Sequence, residues 1–397
     1  MKSKLQQKFS TLIGWVTNRF VSGRVRNSDT NTNHDDSAPF KHWVKFDMEP
    51  MDHPIFGRTH IKSKFPRIPA KAQRPLISDK DFQHFLDHGN KWCAKFWDTR
   101  GREDQFQRTV DGCCWFAIYT DPFSDLFSKG MELYVEYNIW VFLVDDALEQ
   151  SLIEGIDPLD LQKFVQQSMD IFTGKYDTPG RRPQYVEIVG FPYFKSCFDA
   201  MLDIHRKCLI HFPWYRMSIP SFALINQRYF DMFIWCSYDK PQSNYSDHIF
   251  QRWRGVECAN SLCVEFVMML NAVVIPKRIQ EHPCFKKVED VQGCAGFLND
   301  ILGIRKSWLE PDLNSLVGFY VAKDNQSVES AVQKVCDLLE REFRDYLRLK
   351  NVLLQQFKDE KCLVDYFDVL EGNLDGNWPM YMYSTRYYAV SNCLTIV

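Results

Sequence analysis

No two of the 13 cysteines in this 397-residue chain stand in a CxxC pair. Cys113 and Cys114 are adjacent and the others are scattered. That excludes a zinc ribbon and argues against a disulfide frame. Such an odd, irregular set reads as reduced, buried thiols and points to the cytoplasm. No apolar run reaches the roughly 18 residues of a membrane-spanning helix. No charge of one sign dominates: 48 basic residues stand against 51 acidic ones, for a net charge of −3. A nucleic-acid binder would carry a basic stripe, so that partner class is set aside. Internal repeats are missing, as is any Ser/His/Asp or Cys/His constellation. The ten His residues are dispersed.

What the chain does have is aromatic mass and helical period. Phe, Tyr and Trp make up 15% of it, with 31 Phe, 17 Tyr and 11 Trp. They fit a well-filled core or a cavity whose ring faces attract a cation, and composition does not separate the two. Residues 1–40 read as an extension. Its first 26 residues hold six basic side chains and no acidic one. Leu5, Phe9, Leu12, Ile13, Val16 and Phe20 follow helical spacing. A transit peptide, a helix lying on a membrane surface and a disordered tail all fit this stretch. Residues 41–78 carry Pro54, Pro66, Pro69 and Pro75, too closely spaced for a long helix, and read as an extended arm. From Ser78 and Asp79 to the C-terminus, apolar residues recur every three to four positions. The expected architecture of 79–397 is all-α: roughly ten helices in one domain.

Two stretches carry chemistry. Asp145-Asp146-Ala147-Leu148-Glu149 ends a mostly apolar run that begins at Met131. On a helix, Asp145 and Glu149 share one face, about one turn of ~5.4 Å from each other, and repel each other. A solvated helix end explains such a triplet. So does a hard divalent cation, which would turn the repulsion into attraction. Farther on, Asn299, Gly303 and Ser307 sit at i, i+4 and i+8 of a second helical stretch. Amide and hydroxyl oxygens also suit a hard cation. Lys306 stands beside Ser307, placed to reach an anion.

Together these motifs resemble those of class I terpene synthases, of the single-domain microbial and soft-coral type. Asp145-Asp146-x-x-Glu149 is similar to the family's aspartate-rich motif, and Asn299-Asp300-x-x-Gly303-x-x-x-Ser307 to its second metal motif. The resemblance spans residues 80–390. It implies a helical bundle with both motifs at its mouth, and three Mg²⁺ ions (or Mn²⁺) held by Asp145, Asp146, Glu149, Asn299, Gly303 and Ser307. The implied substrate is a prenyl diphosphate. Arg254, 45 residues before Asn299 (299 − 254), matches the family's diphosphate-sensing arginine, with Arg252 as its rival. Glu257 and Cys258 then fall at the linker and effector positions of a helix break. Arg386-Tyr387 resembles the C-terminal pair that contacts diphosphate. The family normally has Ser or Thr where this chain has Gly303, and Glu where it has Ser307, which implies an altered metal site.

The activity implied is ionisation of a linear prenyl diphosphate and cyclisation of the cation to a terpene hydrocarbon. The C20 geranylgeranyl diphosphate is favoured by analogy, with the C15 farnesyl diphosphate next. Arg254, Lys306 and Arg386 would neutralise the leaving group, and Tyr387 would donate a hydrogen bond to it. Phe116, Phe142, Trp235 and Trp378, with Tyr119 and Phe222, are the aromatic residues expected around the cation. Two other readings stand beside this one. A chain-elongating prenyltransferase would want a second aspartate-rich motif, and a non-catalytic helical protein would need no intact metal set. A class II cyclase would need DxDD, which is not present. The chain is expected to act as a monomer or homodimer. Membrane contact is expected at most peripherally, through the N-terminal helix.

Overall fold

The computed structural model describes residues 40–53, 57–177, 185–238, 245–309, 315–387 and 393–396, without the side chains of residues 53, 307–309 and 396. The basic stretch of residues 1–26 lies outside them. Helices dominate, as the period predicts: α1 Asp79–Cys93, α2 Glu103–Thr120, α3 Lys129–Glu154, α4 Pro158–Phe172, α5 Tyr193–His211, α6 Tyr215–Tyr238, α7 Asp247–Glu257 and α8 Asn260–Leu270. There follow two short helices, α9 Lys277–Gln280 and α10 Pro283–Glu289, and a 3-10 turn at Asp290–Gly293. The chain then continues through α11 Cys294–Leu302, α12 Ile304–Leu309, α13 Leu316–Asp324, α14 Val328–Gln356, α15 Lys361–Gly376 and α16 Trp378–Tyr383. No described helix is long and apolar enough to cross a membrane.

Local chemistry sets the ends of the central helix. The Ser128 hydroxyl accepts from the Met131 amide at 3.2 Å, capping the start of α3. Gly155, at φ +80°, closes its other end in the left-handed region, which suits glycine. Between them the helix is buried on nearly every side, from Met131 through Tyr134, Tyr137 and Trp140 to Leu148. A helix apolar all round belongs at the centre of a large core.

The arm carries a small sheet. Two antiparallel strands pair as a hairpin, β1 Trp43–His53 and β2 Gly57–Pro66, and the C-terminal β3 Leu394–Ile396 adds to β1 in the order β2-β1-β3. Val44, Phe46 and Met48 are buried, and Lys45 and Asp47 between them are exposed. This period of two is the mark of a half-buried strand. Pro50 lies where the register shifts between Met48 and Met51. Irregular positions of that kind tolerate proline. The arm is then fastened to α15. Buried Asp375 accepts from Arg67 Nε at 2.5 Å, Arg67 Nη2 at 3.0 Å, the Ala70 amide at 3.1 Å and Gln73. Arg74 donates to the carbonyls of Ile118, Asp121 and Ser124 at the end of α2.

Candidate active site

Three carboxylates converge. One oxygen each from Asp145, Glu149 and Glu257 lies within 4.8 Å of the other two. Asp145 and Glu149 share a face of α3, as their spacing requires. Glu257 comes from the last turn of α7 and is buried. Desolvation by burial pushes the Asp145 carboxyl up to about 6, against the opposing hydrogen bond from Tyr229. The Tyr229 hydroxyl, from α6, donates to Asp145 Oδ1 at 2.6 Å. Three acidic oxygen donors crowded in a half-buried setting, one of them held toward its neutral form, suit a hard divalent cation. Asp146, the next residue round the helix, lies 3.5 Å from Arg386 Nη2.

Arg254 connects these carboxylates to the second motif. Its guanidinium is buried. It donates to Glu257, to Asp300 Oδ1 (Nε at 2.9 Å) and to Asn299 Oδ1 (Nη2 at 3.1 Å). Rival Arg252 is exposed. The approach of α7 to α11 depends on glycine at two places. A Cβ at Gly293 would stand 2.7 Å from the Gly255 Cα, and one at Gly296 would stand 3.1 Å from the Arg254 carbonyl oxygen. Asn299 passes the network on, donating from Nδ2 to the hydroxyls of Tyr381 and Tyr387, each at 3.1 Å. One connected set of polar groups therefore runs from Asp145 through Glu257 and Arg254 to Asn299 and Tyr387.

Arg386 sits opposite. Its guanidinium carbon is 5.0 Å from the centre of the Phe142 ring, and Nη1 donates to Thr109 Oγ1 at 2.8 Å. Burial works against its charge, but Asp146 and Tyr387 outweigh that and raise its pKa. Phe142 meets Phe116 edge to face, 6.3 Å between centroids. The helix break expected at Glu257 and Cys258 falls at Cys258 and Ala259, the latter at φ +56°. The Cys258 thiol bonds the Gly255 carbonyl at 3.3 Å.

Four expectations need correction. The face through Asn299, Gly303 and Ser307 is not continuous: α11 ends at Leu302, Gly303 is a turn, and α12 begins at Ile304. Gly303 brings no side-chain ligand, and a Cβ there would lie 2.5 Å from the Asn299 carbonyl oxygen. Trp235 is 36% exposed and stacks on Tyr245, 5.8 Å away, on the outside of α6. Trp378 stacks on Phe65 of the hairpin at 5.7 Å, facing the sheet. The Ser307 side chain lies outside the described residues, and Lys306 is half-buried beside it. Reasoning from sequence also missed Tyr229, Asp300, Tyr381 and Thr109. Asp300 lay in plain view inside the second motif. The others come from helices with no acidic pattern to mark them.

Fold and site together define a class I terpene synthase, an enzyme whose substrate is a prenyl diphosphate and whose cofactor is a divalent metal. The chain belongs to terpene synthase family 2, C-terminal metal binding, whose family model matches residues 136–345. It is similar to the 10-epi-cubebol synthase of Sorangium cellulosum (strain So ce56), 21% identical over 255 residues, covering 62% of this chain and 74% of that protein. Among solved structures, hedycaryol synthase in complex with HEPES superposes with a TM-score of 0.59 at 14% identity, covering 80% of this chain and 97% of the other. An α-eudesmol synthase superposes at 0.60 and 13% identity, covering 78% and 99%.

Proposed function

We propose that the enzyme ionises farnesyl diphosphate in preference to geranylgeranyl diphosphate and cyclises the cation. The relatives support this order, because cubebol, hedycaryol and eudesmol are C15 products. That reverses the order favoured by analogy from sequence. The observation that carries the site reading is the cluster of Asp145, Glu149 and Glu257, tied through Arg254 to Asn299.

Asp145, Glu149 and Glu257 would hold Mg²⁺, with Asn299 tied to Glu257 through Arg254 and Asp146 one residue round α3, beside Arg386. Three ions are the proposed complement, and Mn²⁺ is the alternative. When bound, Mg²⁺ supplies positive charge to the departing diphosphate. The chain's own groups do the rest. Arg254 exchanges part of its carboxylate and amide contacts for diphosphate oxygens, and Arg386, now on Asp146, does the same from the opposite wall. Tyr387 donates a hydrogen bond to the leaving group, and Lys306 lends charge at the rim. Phe142 and Phe116 present ring faces and edges to the allylic cation and keep water from it.

The test is incubation with Mg²⁺ and each of the C10, C15, C20 and C25 prenyl diphosphates, followed by mass spectrometry of the extract. A cyclic product chiefly from the C15 substrate is expected, and Asp145→Ala should abolish it. Cyclic product chiefly from the C20 substrate would overturn the preference for farnesyl diphosphate. Consumption of isopentenyl diphosphate would instead indicate chain elongation.

A further inference from the structure

Asn373 of α15 is fully buried, and neither its amide oxygen nor its amide nitrogen has a hydrogen-bond partner. An unpaired buried amide is costly against an apolar side chain in the same place. A group that expensive calls for a reason, and its direction supplies one. Contacts on the other sides of α15 fix how the helix is turned. Glu371 accepts from Tyr346 at 2.8 Å and Lys350 at 2.5 Å, facing α14. Asp375 and Asp368 face the N-terminal arm, through Arg67 and Lys71. Gly372 and Gly376 lie against Pro122 and Tyr119 at the end of α2. Tyr366 receives a hydrogen bond from Gln292 at 3.3 Å.

At 3.6 residues per turn, Asn373 lies about 160° from both Glu371 and Asp375 and about 20° from Tyr366. It therefore points away from the arm and from α14, into the bundle. Its level is the end opposite the carboxylates. Gly376, three residues on, meets Tyr119. Neighbouring Thr120 bonds Tyr134 of α3 at 3.0 Å. From Tyr134 to Asp145 is 11 residues (145 − 134), about 16 Å of helix, the reach of a prenyl chain of several isoprene units.

We propose that the Asn373 carboxamide is the polar group met by the hydrocarbon tail of the bound substrate, and that its carbonyl dipole holds positive charge at that end and so selects the product. This rests on the proposed function, since it needs a prenyl chain reaching inward from the diphosphate site. A carbonyl oxygen without a competing donor is suited to the task, because its lone pairs are free for the positive charge.

The test is Asn373→Leu, close in shape and apolar, compared with the wild type on three readouts. Thermal melting should be unchanged or raised, since an unsatisfied amide has been removed. Mg²⁺-dependent binding of inorganic pyrophosphate should stay within about twofold, since the mouth is untouched. The share of the main wild-type product should fall at least about threefold, with isomeric or less cyclised products replacing it. Asn373→Ser serves as the second variant should the leucine form not fold. An unchanged product profile in the folded variant overturns the inference and leaves the proposed function standing. A wild type that neither binds pyrophosphate with Mg²⁺ nor turns over any prenyl diphosphate overturns both.

Discussion

The Tyr229 hydroxyl, 84 residues along the chain from Asp145, donates to that carboxylate at 2.6 Å. The bond fixes which way Asp145 presents its second oxygen and favours the charged form that a metal requires. Tyr229→Phe keeps the ring and removes only the donor. A hydrogen bond to a charged acceptor contributes about 1.5–3 kcal/mol, so the Mg²⁺ concentration for half-maximal rate should rise by roughly tenfold or more. Activity titrated against Mg²⁺ at fixed substrate checks this. An unchanged midpoint would mean that Tyr229 serves packing alone.

Arg254 answers two carboxylates and an amide through one planar fork. Lysine carries the charge but cannot span three acceptors. Arg254→Lys should leave a folded protein that melts lower, with kcat reduced by about a hundredfold from lost orientation of the diphosphate. Arg252→Lys, at the exposed rival position, should change neither, and paired kinetics on the two variants separate them.

How much of this was legible depended on the kind of signal. Charge pattern located Asp145 and Glu149, because spacings are rigid within a helix, and the resemblance located Arg254 by its offset from Asn299. Apolar period located the helices. It ran straight through the breaks at Cys258, Gly303 and Ser384, because those depend on neighbours: two close glycines, a tight carbonyl, a carboxylate at Asp111 that accepts from the Thr385 amide at 2.9 Å. Trp235 and Trp378 show the converse. A tryptophan's type says that it wants contact, and only the fold says with what. The strands were missed because Pro54, Pro66, Pro69 and Pro75 drew the reading to an extended arm, and the period of two from Val44 to Met48 is short.

That hairpin is held by a buried carboxylate, which gives a stability prediction. Asp375→Ala would leave Arg67, Ala70 N–H and Gln73 without their common acceptor. Breaking a buried ion pair on one side costs about 3–5 kcal/mol. The arm should become sensitive to limited proteolysis between residues 57 and 77 while the helices stay protected. Cleavage sites identified by mass spectrometry are the readout, and equal resistance in variant and wild type would count against this docking.

Glu265 and Glu289 give a pH signature away from the proposed catalytic groups. Burial pushes each up to about 7. An unfolded glutamate ionises near 4.5. Between those values the folded state holds protons that the unfolded chain has released, so stability falls as pH rises through that window and levels off above it. Glu265→Gln keeps the shape and removes the titration. It should match the wild type near the bottom of the window and exceed it at pH ~8 by about 1–3 kcal/mol. Denaturant melts at both ends measure the difference, and a constant offset at both would contradict the burial argument.

Gly303 stands where the family's second motif usually has a hydroxyl residue, which invites restoration by Gly303→Ser. The geometry argues that this will fail. A Cβ at 303 would lie 2.5 Å from the Asn299 carbonyl oxygen, which already accepts the Gly303 amide at 2.7 Å. The turn would have to open, and Asn299 would move with it, away from Arg254 and Tyr387. Strain of this kind costs on the order of 1–3 kcal/mol. The serine variant should therefore melt lower and need more Mg²⁺ for half-maximal rate, despite its added oxygen. A lower Mg²⁺ midpoint instead would show that the turn yields and that the hydroxyl reaches the ion.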